Sequence, residues 1–569
     1  MIDPAWARVL RLGPVLGFVA LGGFGVQVLR LALHKAFSID EFQYAHAAWL
    51  VSRGQVPYRD FFEVHFPLVY QVLAPLFSLL GDAPLNVLAL RAAMLVPLAG
   101  ACVAVAVLNR REGRVAALLA PVLLLSLPPF VRFATEVRPD ALAIALFLGA
   151  LATLSARPAT RVKGFAAGAL LAASVWGSQK VLFYGGAVGV VLAVDLVLRR
   201  GRAPALVSTP RAFLAGAGTV LAAVAAYLTV SGSWAAWWRW CFAWASEHQR
   251  HYPGFSPNKY LLPALEEQPW LFTLAALGFV ATVRRWWRSG SARWSDLDLP
   301  LLLAVPATFG SYALQRAPFP YSLLPFLGVL APFMARGAVE VLGWLRSPPA
   351  QVAGAVALAV LLAVQGLRLE ALLDGDGNAR QREVLARIAT LTGPEDVVYD
   401  NSGGYVSRPH AHFYFYTDAY LRGSEAARLA REVPEALVAT GCVLRVDDLR
   451  TSGLPPTLRR FLSEHYQPLD GDLSLWGQRY EVSGSGPLEA RFLAVREDRY
   501  FVEPESILSR GALFIDGARV TEPEFVLSRG EHSVRYEGPG SRFHLLWLPR
   551  DGRRWTPRPG LPPTYSRLF

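Results

Sequence analysis

One long apolar segment follows another along this chain, and that repetition leaves few folds open to it. The first lies between about Val15 and Leu33. Roughly 20 apolar residues make a helix about 30 Å long, enough to cross the hydrocarbon core of a bilayer. Ten further candidates follow: Val87–Leu108, Val115–Val131, Ala141–Ala156, Gly164–Gly177, Val181–Leu198, Phe213–Val230, Trp270–Val283, Leu299–Leu314, Tyr321–Met334 and Val352–Leu367. Composition agrees, with 53% hydrophobic and 18% charged residues over 569 positions, where a soluble domain carries about a quarter charged. The expected fold is a polytopic α-helical membrane protein of about eleven transmembrane helices with some water-soluble mass. The first segment runs too long for a cleavable signal peptide and lacks its small-residue pattern, so it reads as a signal anchor.

A net charge of +12 would suit nucleic acid. The basic residues, however, sit in short clusters between apolar spans, where they act as topology signals, so nucleic acid is rejected as a partner. Parity turns on Leu68–Leu80, an apolar stretch whose shortness suits an interfacial or re-entrant helix. If it does not cross, the Arg-rich loops around Arg110, Arg157, Arg199, Arg284 and Arg336 all share a side with Arg8 and Arg11. The opposite side receives Asp40-Glu41, Glu136 to Asp140, Gln179-Lys180, the Trp234–Glu267 loop and Gln315-Arg316. Eleven spans then put the amino terminus inside and the carboxyl terminus outside.

The region after about Glu370 is not membrane-like. Arg380 to Ala389 has helical spacing, while Asp396 to Asp400 and His412 to Tyr416 read as strands. A composition shift near Gly484-Ser485-Gly486 precedes a predicted hairpin, Ala512–Ile515 and Ala518–Val520 joined by Asp516-Gly517. The predicted organisation is a transmembrane domain over 1–369, an exterior α/β domain over 370–483 and a β-sandwich-like module over 484–569. Cys102, Cys241 and Cys442 are too scattered for a disulfide framework or zinc spacing.

The chemistry-bearing residues gather on the exterior side. The first loop carries Asp40, Glu41, Tyr58, Glu63 and His65; the second carries Glu136, Arg138 and Asp140. Lys180 sits in a short third loop, and Arg316 in the fifth. Only four Lys occur (Lys35, Lys163, Lys180, Lys259), so each merits attention. Acids from two loops and cations from three suit a carboxylate that takes a proton from a nucleophile while cations receive an anionic leaving group. The bland alternatives are solvated loop charge for Asp40-Glu41, helix N-terminal acids for Glu136 and Asp140, and snorkelling for Lys180 and Arg316. Trp234, Trp237, Trp238, Trp240 and Trp244 read as an interfacial belt. His410 and His412 share a strand face without further ligands nearby.

Asp40-Glu41 after the first span, Gly54-x-x-Pro57-Tyr58-x-Asp60, His65-Phe66-Pro67-Leu68, and Arg138-Pro139-Asp140 opening a later span together resemble the GT-C superfamily of membrane glycosyltransferases. The resemblance is to the lipid A aminoarabinose transferase and protein O-mannosyltransferase branch, and it covers about 370 residues. It implies a polyprenyl-phosphate-linked sugar donor, an exterior lipid, polysaccharide or protein acceptor, and a bacterial inner membrane. It makes Asp40 the main catalytic carboxylate, assisted by Glu41, with Asp140 the second-loop acid and Glu136 its competitor. Lys180 and Arg316 would contact the lipid phosphate with Arg138 assisting, and Tyr58 and His65 would bind substrate. A divalent metal ion is allowed for and none is assigned, because metal dependence varies across the superfamily. The competing classes are a lipid or sugar transporter or flippase, and a non-catalytic membrane scaffold with a binding tail. Transport is disfavoured because the ionisable residues cluster at one face and no repeated halves are visible.

Overall fold

The computed structural model describes residues 4–84, 86–156, 160–198, 210–248, 257–288, 298–315, 319–373, 377–412, 425–469, 472–483 and 486–552. Among the described residues five helices are long and apolar enough to cross a membrane: Gly13–His34, Asn86–Glu112, Arg211–Val230, Pro320–Trp344 and Pro348–Ala371. A bent pair of helices makes a sixth, and shorter apolar helices such as Leu68–Leu80, Pro139–Ser155 and Leu299–Ala313 accompany them. The result is a helical multi-pass membrane protein with a sheet-containing carboxyl-terminal region. Val15, Leu16, Phe18 and Val19 stand exposed on the first helix, where lipid would cover them, whereas Leu324 to Ala338 is almost wholly buried.

The helices that place the site come early. They are α1 (Pro4–His34), α2 (Ile39–Ser52), α3 (Leu68–Leu80), α4 (Asn86–Asn109), α5 (Arg114–Leu125), α6 (Pro128–Ala134), α7 (Pro139–Ser155), α8 (Arg161–Gly177) and α9 (Val181–Leu198). The sequence predicts one span over Val115–Val131, and within it the chain turns by 74° between α5 and α6. Pro128 is the cause. It forces Leu127 into an extended conformation (φ −88°, ψ 101°), as a proline does to the residue before it. The short helix α6 then delivers Glu136 and Arg138 to the first loop.

The carboxyl-terminal region is tied directly to this end of the helices. Helix Ala379–Leu391 begins at Asn378, whose side-chain amide donates to the carbonyl of Leu33 (2.7 Å) and whose backbone N–H donates to that of His34 (3.0 Å). Gln381 clamps Phe37, accepting from its N–H (2.6 Å) and donating to its carbonyl (2.9 Å).

Beyond lie eleven strands: β1 (Val398–Tyr399), β2 (Leu444–Val446), β3 (Tyr466–Pro468), β4 (Leu473–Val482), β5 (Leu488–Ala494), β6 (Asp498–Glu503), β7 (Ala512–Ile515), β8 (Ala518–Arg519), β9 (Glu524–Leu527), β10 (Gly530–Glu537) and β11 (Ser541–Trp547). A seven-stranded sheet runs β1-β2-β4-β11-β6-β9, with β3 also on β4, and a four-stranded sheet runs β5-β10-β7-β8. Among these strands, within the described residues, β1 and β2 pair in parallel and the other pairs are antiparallel. The β4–β11 ladder (Val482↔Ser541 onward) carries one sheet across the composition shift at Gly484. The β7–β8 hairpin forms with Asp516 (φ 51°) and Gly517 (φ 80°) at its tip, the two left-handed residues of a two-residue turn. Of the strand expected over His412 to Tyr416, the part after His412 lies outside the described residues.

The loop after β1 lies flat on α2, and Gly403 makes that approach feasible. Its φ is +74°, and a Cβ there would meet the His46 Cβ at 3.0 Å and the Phe42 carbonyl oxygen at 3.3 Å. Gly403→Ala should therefore lower stability by about 1–3 kcal/mol. Thermal unfolding in detergent, with protease sensitivity of the carboxyl-terminal region as a second readout, checks this; an unchanged midpoint would contradict the packing.

Candidate active site

The site starts from a capping box. Ser38 caps α2: its hydroxyl accepts the N–H of Asp40 (3.3 Å), and the Glu41 carboxylate accepts the N–H of Ser38 (3.0 Å). The cap fixes two adjacent carboxylates on the first turn, and they then face different partners. Glu41 is fully buried against Arg91 of α4, which donates Nε to Glu41 Oε1 at 2.7 Å and a second bond to Oε2. The same guanidinium closes the end of α1, donating to the carbonyls of Ala32 (3.2 Å), Lys35 (2.6 Å) and Ala36 (2.9 Å). Glu41 Oε1 also accepts the N–H of Val137 (3.1 Å), so the pair knits α1, α2, α4 and the second loop together.

Asp40 faces cations instead. Arg138 Nη1 lies 3.1 Å from Asp40 Oδ2, and Arg450 Nη2 from the carboxyl-terminal region lies 3.7 Å from Oδ1. Arg138 is itself aimed by Ser38 (3.1 Å) and Glu136 (2.5 Å), and it sits 4.0 Å over the Tyr321 ring. Arg450 is held by the Ser402 hydroxyl (3.1 Å) and the Asn401 carbonyl (3.3 Å). Glu136 also pairs with Lys35. Burial would raise its carboxyl, but Lys35 and Arg138 outweigh burial and hold it down at about 2. A carboxylate held that low is a counter-ion and a poor proton acceptor. Burial pulls Lys35 down to about 8 despite Glu136.

On the other flank, Lys180 Nζ, between α8 and α9, lies 3.1 Å from Asp140, which also accepts from Ser178 (3.3 Å). Lys180 also stands 4.7 Å over the Tyr321 ring. One tyrosine thus carries two cations, Arg138 and Lys180. The arrangement offers a carboxylate at the head of a helix, a group of cations around it, and an aromatic platform between them.

No protein-family model matches the sequence, and no curated protein matches it. Solved structures do resemble it. ArnT from Cupriavidus metallidurans in the apo state superimposes with a TM-score of 0.54 at 16% identity, over 80% of this chain and 97% of that one. The chain has the ArnT fold. ArnT bound to undecaprenyl phosphate gives a TM-score of 0.51 at 15% identity, over 77% and 94%. The oligosaccharyltransferase of Archaeoglobus fulgidus tethered with an acceptor peptide aligns more loosely, with a TM-score of 0.49 at 11% identity over 79% and 72%. The likeness is one of fold.

Within this ArnT-like fold, Asp40, Glu41, Glu136, Arg138, Asp140 and Lys180 come together at one end of the helices. Tyr58 and His65 lie along the first loop, where the Tyr58 hydroxyl donates to the His65 carbonyl (2.6 Å) and His65 Nδ1 meets Glu63 (2.7 Å). Arg316 lies outside the described residues. The expected tryptophan belt divides: Trp234 and Trp238 are exposed, but Trp240 is buried edge-on against Phe62 (4.7 Å between centroids). Sequence reasoning did not place Arg91, Tyr321 or Arg450 in the site. Arg91 had one usable signal, a charge inside an apolar span.

A metal ion does not fit these residues. Among the described residues no three His, Cys, Asp or Glu side chains could share an ion, and the Asp40 carboxylate is faced by guanidinium groups.

Two predictions follow from this geometry. Arg91→Met strands Glu41 without its partner, which costs about 3–5 kcal/mol in a buried pair; yield and thermal midpoint should drop sharply, and Glu41→Gln added to it should restore part of both. The second concerns Asp400, beneath Arg450. Burial first, then neighbouring Asp448, push its carboxyl up to about 7, against N–H donors from Ser402, Gly403 and Gly404. A carboxyl raised in the folded state binds more protons folded than unfolded. Stability should therefore fall as pH rises from about 4 to about 7 and level off above. Thermal midpoints across that range should show a slope that Asp400→Asn flattens.

Proposed function

We propose that this protein is an integral-membrane glycosyltransferase that moves a sugar from a polyprenyl-phosphate-linked donor to an acceptor on the exterior face of a bacterial inner membrane. The observation that carries the reading is the buried Asp40 carboxylate at the start of α2, 3.1 Å from Arg138 and 3.7 Å from Arg450, with Lys180 across Tyr321. The ArnT fold supports it, and an ArnT structure holds undecaprenyl phosphate.

In this reading Asp40 accepts the proton of an acceptor hydroxyl as that oxygen bonds to the anomeric carbon. The bond from that carbon to the phosphate oxygen breaks, and the polyprenyl phosphate leaves with the electron pair. Phosphate is a competent leaving group, so the site needs cations more than a general acid; Lys180 and Arg138, with Arg316 from the fifth loop, supply them. Asp140 then positions Lys180, and Glu41 acts through the fold. Lipid, polysaccharide and protein acceptors can each present the hydroxyl that such a base serves.

The topology proposed with it has eleven spans, α3 not crossing, the amino terminus cytoplasmic and the region from 370 on exterior. That region comprises 370–483 and 484–569, which share a sheet, and residues 1–369 hold the loop acids.

The deciding experiment follows polyprenyl phosphate release by purified protein in lipid, offered a panel of polyprenyl-phosphate sugars and a membrane extract as acceptor. Asp40→Asn should cut release by roughly 100-fold or more while expression and unfolding temperature stay unchanged. Full activity in that folded variant would sink the assignment.

A further inference from the structure

Two loops of the carboxyl-terminal region carry Arg450 to Asp40. Strands β1 and β2 run parallel, Val398 beside Leu444 and Tyr399 beside Arg445, so the chain leaves both in the same direction. The turns after them, 400–404 and 447–451, therefore emerge together, and Asp448 ties them into one unit. Its carboxylate accepts the N–H groups of Arg450 (2.8 Å) and Asn401 (3.2 Å) and the hydroxyl of Ser402 (2.6 Å). The Ser402 hydroxyl and the Asn401 carbonyl in turn accept from Arg450 Nη1, at 3.1 and 3.3 Å. Helix α2 seats the first loop, where His46 Nδ1 donates to the Val406 carbonyl at 2.6 Å. Val406 itself takes a φ of 46°, which a β-branched residue rarely adopts, so the seat is held against backbone strain. Arg450 is thus aimed by its own loops before it meets α2, the way a site pre-organises a charge.

The two oxygens of Asp40 then meet different surroundings. Oδ2 accepts from Arg138 Nη1 at 3.1 Å. Oδ1 faces Arg450 Nη2 at 3.7 Å, beyond hydrogen-bonding distance, and accepts no hydrogen bond among the described residues. Both side chains are buried, so little solvent screens the attraction across that gap. Two guanidinium groups, one on either oxygen, fix the rotation of the carboxylate while the lone pairs of Oδ1 stay open. A carboxylate held in this way has one oxygen ready to receive a proton.

We propose that Arg450 is a positioning residue for the reaction at Asp40. It turns the carboxylate so that Oδ1 takes the acceptor's proton, and it makes that alignment depend on the seating of the carboxyl-terminal loops on α2. The proton passes from the acceptor hydroxyl to Oδ1 as the acceptor oxygen bonds to the anomeric carbon, and the phosphate leaves with the electron pair of the broken bond. Arg450 touches none of the reacting atoms and acts through Asp40. The catalytic half of the proposal rests on the glycosyltransferase reading; the link between the loops and Asp40 does not.

Two measurements on the full chain in nanodiscs test it. In steady-state transfer, Arg450→Met should lower kcat by about 10- to 100-fold with donor KM held within about twofold, and Arg450→Lys should recover part of the loss. An unchanged kcat, a loss confined to donor KM, or no recovery with lysine would overturn the positioning role. Hydrogen exchange reads the link without any turnover. Asp40→Asn and Arg450→Met should each speed exchange over 398–408 and 444–452 by about tenfold and leave 512–537 unchanged. The double variant should exchange no faster than either single one, because both remove the same contact. Unchanged exchange, or increases that add, would overturn the link. If the wild type turns over no donor, the transferase reading falls and the catalytic role with it, while exchange still decides whether Asp40 seats the loops.

Discussion

The buried pair between Glu41 and Arg91 is the constraint on which the rest of the site depends. A charge pair removed from water is a poor source of stability, because desolvation consumes most of the attraction. Its value here is geometric. Arg91 spends its remaining donors on the carbonyls where α1 ends, groups that a helix terminus otherwise leaves unsatisfied. Glu41 spends its remaining capacity on the Ser38 cap and on Val137. One ion pair thereby locks the exit of the first helix to the start of the second and to the loop that carries Arg138. Asp40, its sequence neighbour, inherits a fixed position without taking part in the lock.

Around that anchor the charges are arranged as alternating links. Lys35, Glu136, Arg138 and Asp40 form one chain that ends at Arg450, and Lys180 with Asp140 forms another. Tyr321 joins the two through its ring. Aromatic contact suits this position because a ring face attracts both cations while their N–H groups pair with Glu136, Asp40 and Asp140.

Much of this was legible in the sequence, for a specific physical reason. Sidedness in a membrane is nearly one-dimensional: counting apolar runs and basic clusters assigns each loop to a face, so Asp40, Glu136, Arg138, Asp140 and Lys180 could be grouped without coordinates. Partner choice within the group is three-dimensional and was not legible. Nothing in the order Asp40-Glu41 says that one carboxylate meets α4 and the other meets a loop some 400 residues away. The turn between α5 and α6 was missed because an apolar run hides its break, although Pro128-Pro129 was a readable signal. Likewise the shift near Gly484 marks a change of composition, while the β4–β11 ladder passes over it.

The contact between Arg450 and Asp40 also bears on how the molecule is made. Some 400 residues separate them, so at about 5–20 residues per second the ribosome needs roughly 20–80 seconds to supply the second after the first. Throughout that interval the helices that hold Asp40 can insert and pack while its ring of cations is still one short. The nascent chain thus passes this interval with an incomplete centre, which is completed only when the later-made region around Arg450 folds back onto α2.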